Sequence, residues 1–114
     1  MDKLPQFSGA IERVLGRHLE LCGDRPDNPV ESFLIVDELK RSFIWMNVGW
    51  ERSRRVMGMT VYLRICDDKI WVEEDLTEEG VANELVREGI AKSDIVLAFQ
   101  DPQVRQFTEF AAVG

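Results

Sequence analysis

Four runs with strand composition follow one another between Ser32 and Glu74, and the polar stretches between them are too short to carry a crossover. The runs are Ser32 to Asp37, Ser42 to Trp50, Val56 to Cys66 and Lys69 to Glu74, joined by Glu38 to Arg41, Glu51 to Arg55 and Asp67-Asp68. A parallel pair needs about a dozen residues or more to bring the chain back to the same end. Consecutive runs must therefore pair antiparallel, and the sequence predicts a four-stranded meander.

Centring each turn on its polar residues fixes the registers, because each hairpin pairs residues whose numbers have a constant sum. Two faces then separate. Leu34, Val36, Phe43, Trp45, Met59, Val61, Leu63, Ile65, Ile70 and Val72 fall on one, a natural core for helices to cover. Phe33, Ile35, Ile44, Met46, Val48, Trp50, Tyr62, Arg64, Trp71 and Glu73 fall on the other. That second face is too apolar to be left wet, which makes it a candidate contact surface.

Helices flank the sheet in sequence. Leu4, Phe7, Ile11, Val14, Leu15, Leu19 and Cys22 recur at helical spacing, and Pro5 suits a first turn. His18, the only histidine, falls on or beside this stripe and reads as a packed boundary residue rather than a catalytic one. Gly23 to Pro29 stops the helix as a loop. After the sheet, Asp75 or Thr77 can cap a helix whose first turn carries Glu78 and Glu79 and whose buried stripe is Val81, Ala82, Leu85 and Val86. Gly89 is placed to end it. The run Ile95 to Phe99 is compatible with a buried strand or a helical turn, periodicity being silent at this length. Asp101-Pro102 resembles a helix start, with Val104, Phe107 and Phe110 as anchors for the tail. The expected fold class is thus α+β: an N-terminal helix, a four-stranded antiparallel meander, then a C-terminal helix and short tail elements packed on one face, in a single domain spanning 1–114.

With 114 residues, 45% of them hydrophobic, the chain can close a core without metal or disulfide. Met1-Asp2-Lys3-Leu4-Pro5 has no signal-peptide character and no segment approaches the roughly eighteen apolar residues of a membrane span, so a cytoplasmic location is expected. Cys22 and Cys66, without metal-ligand spacing, read as free, buried thiols. A net charge of −7 repels a phosphate backbone and argues against direct nucleic-acid binding.

Candidate chemistry is sparse. Glu73, Glu74, Asp75, Glu78 and Glu79 could hold a divalent cation, but a strand end followed by an acidic helix start explains them already. Asp27, Asp37, Glu38 and Lys40 have the residue types of a magnesium-dependent nuclease, yet they fall in a loop and a hairpin turn, where nothing rigid would hold metal ligands. Arg52, Arg54 and Arg55 form a basic turn able to meet an acidic partner or phosphates. No phosphate loop, catalytic triad or zinc spacing is present, and no cofactor is expected.

One resemblance goes further. Val48-Gly-Trp50, Arg55-Val-Met-Gly58, Lys69-Ile-Trp71, Thr77-Glu-Glu-Gly-Val-Ala82, Glu84-Leu-Val86, Asp94-Ile-Val-Leu97, Phe99, Pro102, Arg105 and Thr108-Glu-Phe-Ala111 together resemble the XisI family, the fdxN-element excision controlling factors of cyanobacteria. The match runs in order through about the last two-thirds of the chain. It departs from the family pattern at Tyr62 and Arg64, where a histidine and an aspartate are frequent, and at Ala91, where proline often precedes the lysine. The resemblance implies a small α+β protein encoded beside an endonuclease-like partner, XisH, and needed with it for a recombinase to excise a DNA element during heterocyst differentiation. It implies no catalytic residues.

The reading that results is a non-enzymatic accessory protein of site-specific recombination. It would bind an XisH-like protein, or a second copy of itself, through the face bearing Ile44, Met46, Trp50, Tyr62, Arg64 and Trp71, with Arg64 stacked on Trp71 opposite it. The rival readings are a metal-dependent nucleic-acid-processing enzyme using acids such as Glu38 or Glu73, and a DNA-contacting factor using the Arg52 to Arg55 turn.

Overall fold

A computed structural model describes residues 3–22, 29–39 and 41–112. The element order is α1 (Leu4–Cys22), β1 (Val30–Asp37), β2 (Ser42–Glu51), β3 (Arg54–Cys66), β4 (Lys69–Asp75), α2 (Val81–Arg87), β5 (Ile95–Leu97) and α3 (Pro102–Arg105). The loop expected at Gly23 to Pro29, Asp27 within it, and Lys40 lie outside the described residues, except for Pro29 itself.

Strands β1 to β4 form the expected antiparallel meander, but the sheet has five strands in the order β1-β2-β3-β4-β5, and β5 runs parallel to β4. The four-stranded, all-antiparallel expectation is corrected here. Ile95–Leu97 is too short to show its own period, and its identity as a strand comes from pairing with Ile70, Trp71 and Val72. The segment containing α2 supplies the crossover that parallel pairing needs.

Local chemistry explains the turns. Asp67 and Asp68 both take positive φ, 52° and 57°, as a two-residue hairpin that follows the sheet's twist requires. Gly49 lies so close to the chain before β1 that a β-carbon there would sit 2.1 Å from the Pro29 carbonyl oxygen. Both Asp75 and Thr77 cap the approach to α2. Asp75 accepts from the Thr77 and Val81 amides, and the Thr77 hydroxyl accepts from the Gly80 amide. Glu78 and Glu79 precede the helix instead of forming its first turn. Gly89, at φ 101°, ends it, and Ile90 donates back to Leu85.

Helices α1 and α2 cover one face of the sheet. Phe7, Ile11, Val14 and Leu15 of α1 meet Phe43, Val61, Leu63, Ile70 and Val72 of the sheet and Val81 and Leu85 of α2 in one buried cluster. Charged links tie the helices together: Arg13 and Arg17 both donate to Glu88, at 2.6 and 3.0 Å. His18 is packed as expected, its ring 5.3 Å from that of Trp45 and its Nε2 donating to the buried Glu84 carboxylate at 2.7 Å. Cys22 and Cys66 are free and half-buried, less enclosed than expected.

The radius of gyration is 14.9 Å, above the roughly 13 Å of a compact domain of this length. The molecule is elongated, with extents of 44 × 30 × 26 Å. β2 and β3 continue together through Trp50–Arg55 and Glu51–Arg54 after β4 has left the sheet at Asp75, so the β2–β3 hairpin has an end that β4 does not reach.

Candidate protein-interaction face

Register settles which side chains share the uncovered face. β1 and β2 pair Phe33 with Met46 and Ile35 with Ile44, and β2 and β3 pair Ile44 with Tyr62 and Trp50 with Arg55. β3 and β4 pair Arg64 with Trp71. Directly opposed residues point to the same side, and alternate residues return to it. Ile44, Met46, Trp50, Tyr62, Arg64 and Trp71 therefore stand on one face, away from α1 and α2.

Two bulges alter its details. The β2–β3 register shifts between Trp45 and Met46, leaving Thr60 as the extra residue of β3 and pairing Met59 with Met46. Met59 thus moves from the expected core face to the second face, because one unpaired residue inverts the parity of everything on the turn side of it. Met57, opposite Val48, joins it and is 70% exposed. The β3–β4 register shifts between Tyr62 and Leu63, which makes Glu73 the extra residue of β4.

That second bulge brings Glu73 to Arg64. The guanidinium donates through Nε and Nη2 to one carboxylate oxygen, at 2.9 and 2.6 Å. The hydrogen bond to Glu73 holds the Arg64 pKa above its ordinary value, against the smaller opposing effect of burial. Arg64 does not stack on Trp71, as expected from their opposition, because its fork is satisfied by Glu73. Arg105 occupies that place instead, with its guanidinium carbon 5.9 Å from the Trp71 ring centroid. It is steadied by donation to the carbonyls of Gln100 and Ala98. The Trp71 indole donates to the Cys66 carbonyl at 3.1 Å.

The tail therefore reaches round to part of the second face instead of packing on one side only. Val96, paired with Trp71, is fully buried yet stands apart from the main core cluster. Ala111 donates to Ile95 and bridges Val96, closing the β5 edge. Asp101 caps α3 by accepting from Gln103, as the Asp-Pro pair predicts. Of the three expected anchors, only Phe110 packs on the core, whereas Val104 and Phe107 are exposed. The side of the face formed by β1, β2 and β3 has no such cover among the described residues, and Ile35, Trp50 and Met57 are exposed there.

The other candidate residues are dispersed. Arg52, Arg54 and Arg55 are exposed at the tip of the β2–β3 hairpin, where Arg55 lies 5.4 Å from the Trp50 ring centroid and donates to the Gly49 carbonyl. Glu38 is exposed in the β1–β2 turn, and Glu73 is committed to Arg64. Among the described residues, no three His, Cys, Asp or Glu side chains are grouped to hold a metal ion. No described helix is long and apolar enough to cross a membrane.

The model of the XisI protein family matches residues 1–112. The chain belongs to the XisI family. A crystal structure of an XisI-like protein from Anabaena variabilis ATCC 29413 superposes with a TM-score of 0.88 at 34% identity, covering 97% of this chain and 100% of that one. The fdxN element excision controlling factor XisI from the same organism superposes with a TM-score of 0.83 at 36% identity, covering 98% and 100%. None of the curated proteins matches the sequence. Within the XisI fold, sequence reasoning missed Arg105, Met57 and Met59 as members of the second face. Nothing local marks any of them: Arg105 arrives by way of the tail's return, and the two methionines by way of the bulge.

Proposed function

We propose that this XisI-family chain is an accessory, regulatory protein of programmed DNA element excision. It acts by contact with an XisH-like protein and performs no catalytic step of its own. The setting comes from its similarity to the fdxN element excision controlling factor of Anabaena variabilis. The observation that carries the contact mechanism is the second sheet face. Ile44, Met46 and Tyr62 form an apolar surface that the helices do not cover, with the Arg64–Glu73 pair already satisfied beside it.

Such a surface suits a protein partner. Aromatic side chains, methionine and arginine are the usual anchors of interfaces, and an internally paired arginine can be buried with less desolvation cost than a bare one. Trp50 and Trp71 stand at opposite ends of the face, each with an arginine over its ring. The exposed Arg52, Arg54 and Arg55 lie beyond Trp50 and would meet acidic groups of the partner at the rim, contributing to association rate more than to affinity.

Co-expression with an XisH-like protein, followed by size-exclusion chromatography, tests the reading. A stable complex is expected for the wild type, and Ile44→Glu and Trp71→Ala should lose it while retaining the circular dichroism of the folded chain. If the wild type forms no complex, or both variants bind undiminished, the interface is wrong. Magnesium-dependent cleavage of DNA by the isolated chain, abolished by Glu38→Gln, would replace it with the enzymatic reading.

A further inference from the structure

Strand β2 has a neighbour on both sides over most of its length, but β3 does not. β1 pairs β2 from Ser42 to Gly49 and β3 pairs it from Ser42 to Glu51, whereas β4 accompanies β3 only from Val61 to Cys66. The last bond on that side is from the Leu76 amide to the Thr60 carbonyl. Residues Arg54 to Met59 are therefore a strand bonded on one side to β2 and, among the described residues, to no strand on the other. Unpaired strand edges are templates for another strand, and natural proteins blunt them with proline, charged side chains, bulges or a covering segment. The β5 edge is closed by Ala111. Arg54-Arg55-Val56-Met57-Gly58-Met59 contains no proline, its two charged side chains stand together at the hairpin end, and its bulge lies at the other end, which leaves Val56 to Met59 unblunted. A β-carbon on Gly58 would meet nothing within 4 Å, so the sheet face at this position is open and leaves room for a neighbouring side chain.

We propose that this segment pairs antiparallel with the same segment of a second copy, about a two-fold axis at Met57. Centred there, Met57 opposes Met57, Val56 opposes Gly58, and Arg55 opposes Met59. Each pair keeps both members on the same face, as a ladder requires, and the bulky Val56 meets the residue without a side chain. The arginines of the two chains lie at opposite ends of the ladder, so they do not face each other. They approach oppositely charged ground instead: Arg52 and Arg54 of one copy reach the place where β4 of the other ends, at Glu74 and Asp75. In a chain of net charge −7, this basic tip is the part suited to that acidic strand end. The remaining edge strand, β1, is a poorer self-partner, because pairing centred on Leu34 would set Glu31 against Asp37. Pairing at Met57 also brings Met57, Met59, Met46 and Val48 of both copies side by side, joining two open faces into one. It uses the edge of β3 and not the face proposed to meet the XisH-like protein, so the two proposals stand or fall separately.

Sedimentation of the isolated full chain at micromolar concentration tests it. The wild type is expected to be dimeric. Met57→Asp places two carboxylates on the axis and should give monomers with unchanged circular dichroism and melting, since Met57 is 70% exposed within one copy. In a chain carrying Cys22→Ser and Cys66→Ser, Met57→Cys should be joined into a covalent dimer by a short thiol-reactive cross-linker. A monomeric wild type overturns the proposal. So does a dimer that survives Met57→Asp, or a Met57→Cys chain that does not cross-link, either of which would put the second copy elsewhere.

Discussion

On the helix-covered face of the sheet, Phe43, Val61, Leu63, Ile70 and Val72 are all buried. On the opposite face Ile44, Met46, Tyr62 and Trp71, set one residue along the same strands, remain partly open. Both faces are apolar, so hydrophobic pattern alone does not distinguish them. What differs is the supply of covering elements. α1 and α2 are spent on the first face, and among the described residues the tail reaches the β4–β5 side of the second, through Arg105 and the segment returning to Ala111. The lesson is that an apolar sheet face becomes core or contact surface according to what the rest of the chain can bring to it.

Substitutions can break or sharpen that contrast. The largest expected effect is Leu63→Ala, which should cost about 2–5 kcal/mol in denaturant unfolding by leaving a cavity in the covered core, against about 1 kcal/mol or less for Ile44→Ala. Equal losses would mean that the two faces are equally enclosed within one copy. Next comes His18→Ala, which removes the partner of the buried Glu84 carboxylate and should cost about 1–3 kcal/mol. A smaller loss would show that the polar link between α1 and α2 is not needed to seat the helices on the sheet.

On the second face, Arg105→Ala should uncover Trp71, shifting its fluorescence to the red and costing about 1 kcal/mol. No shift would show that the tail does not cover this ring. The smallest effect concerns the pH dependence of helix docking. Arg13 and Arg17 hold the Glu88 carboxyl below its ordinary pKa, so its contribution is fully present above the ordinary carboxylate range and is lost as pH falls through the lowered value. In Glu88→Gln, that part of the acid sensitivity should vanish from melting curves taken across the acid range. Unchanged sensitivity would detach Glu88 from the covered side's stability.

Much of the meander was legible because short polar connections leave only antiparallel pairing, and the pairs Ile44–Tyr62 and Arg64–Trp71 follow from turn position alone. Met59 was misplaced because a bulge has no sequence mark as plain as a turn has. Alternation puts Glu73 on the second face, but its pairing with Arg64 is not legible, since it depends on a shift of register between β3 and β4. Between strand and helical turn the sequence of β5 does not choose, because three residues contain too little periodicity.

The sequence by itself determined the order of elements, the antiparallel pairing of β1 to β4, the existence of two apolar faces and the membership of the XisI family. Each of these depends on local composition, on the length of a connection or on the order of residues. Only the tertiary structure decided that β5 joins in parallel, that Arg105 takes the place beside Trp71 and that, among the described residues, the edge of β3 from Arg54 to Met59 is left without a strand. Those outcomes depend on where a distant segment finds room to pack. Competition between segments for the same strand edge or ring is not written in any one of them.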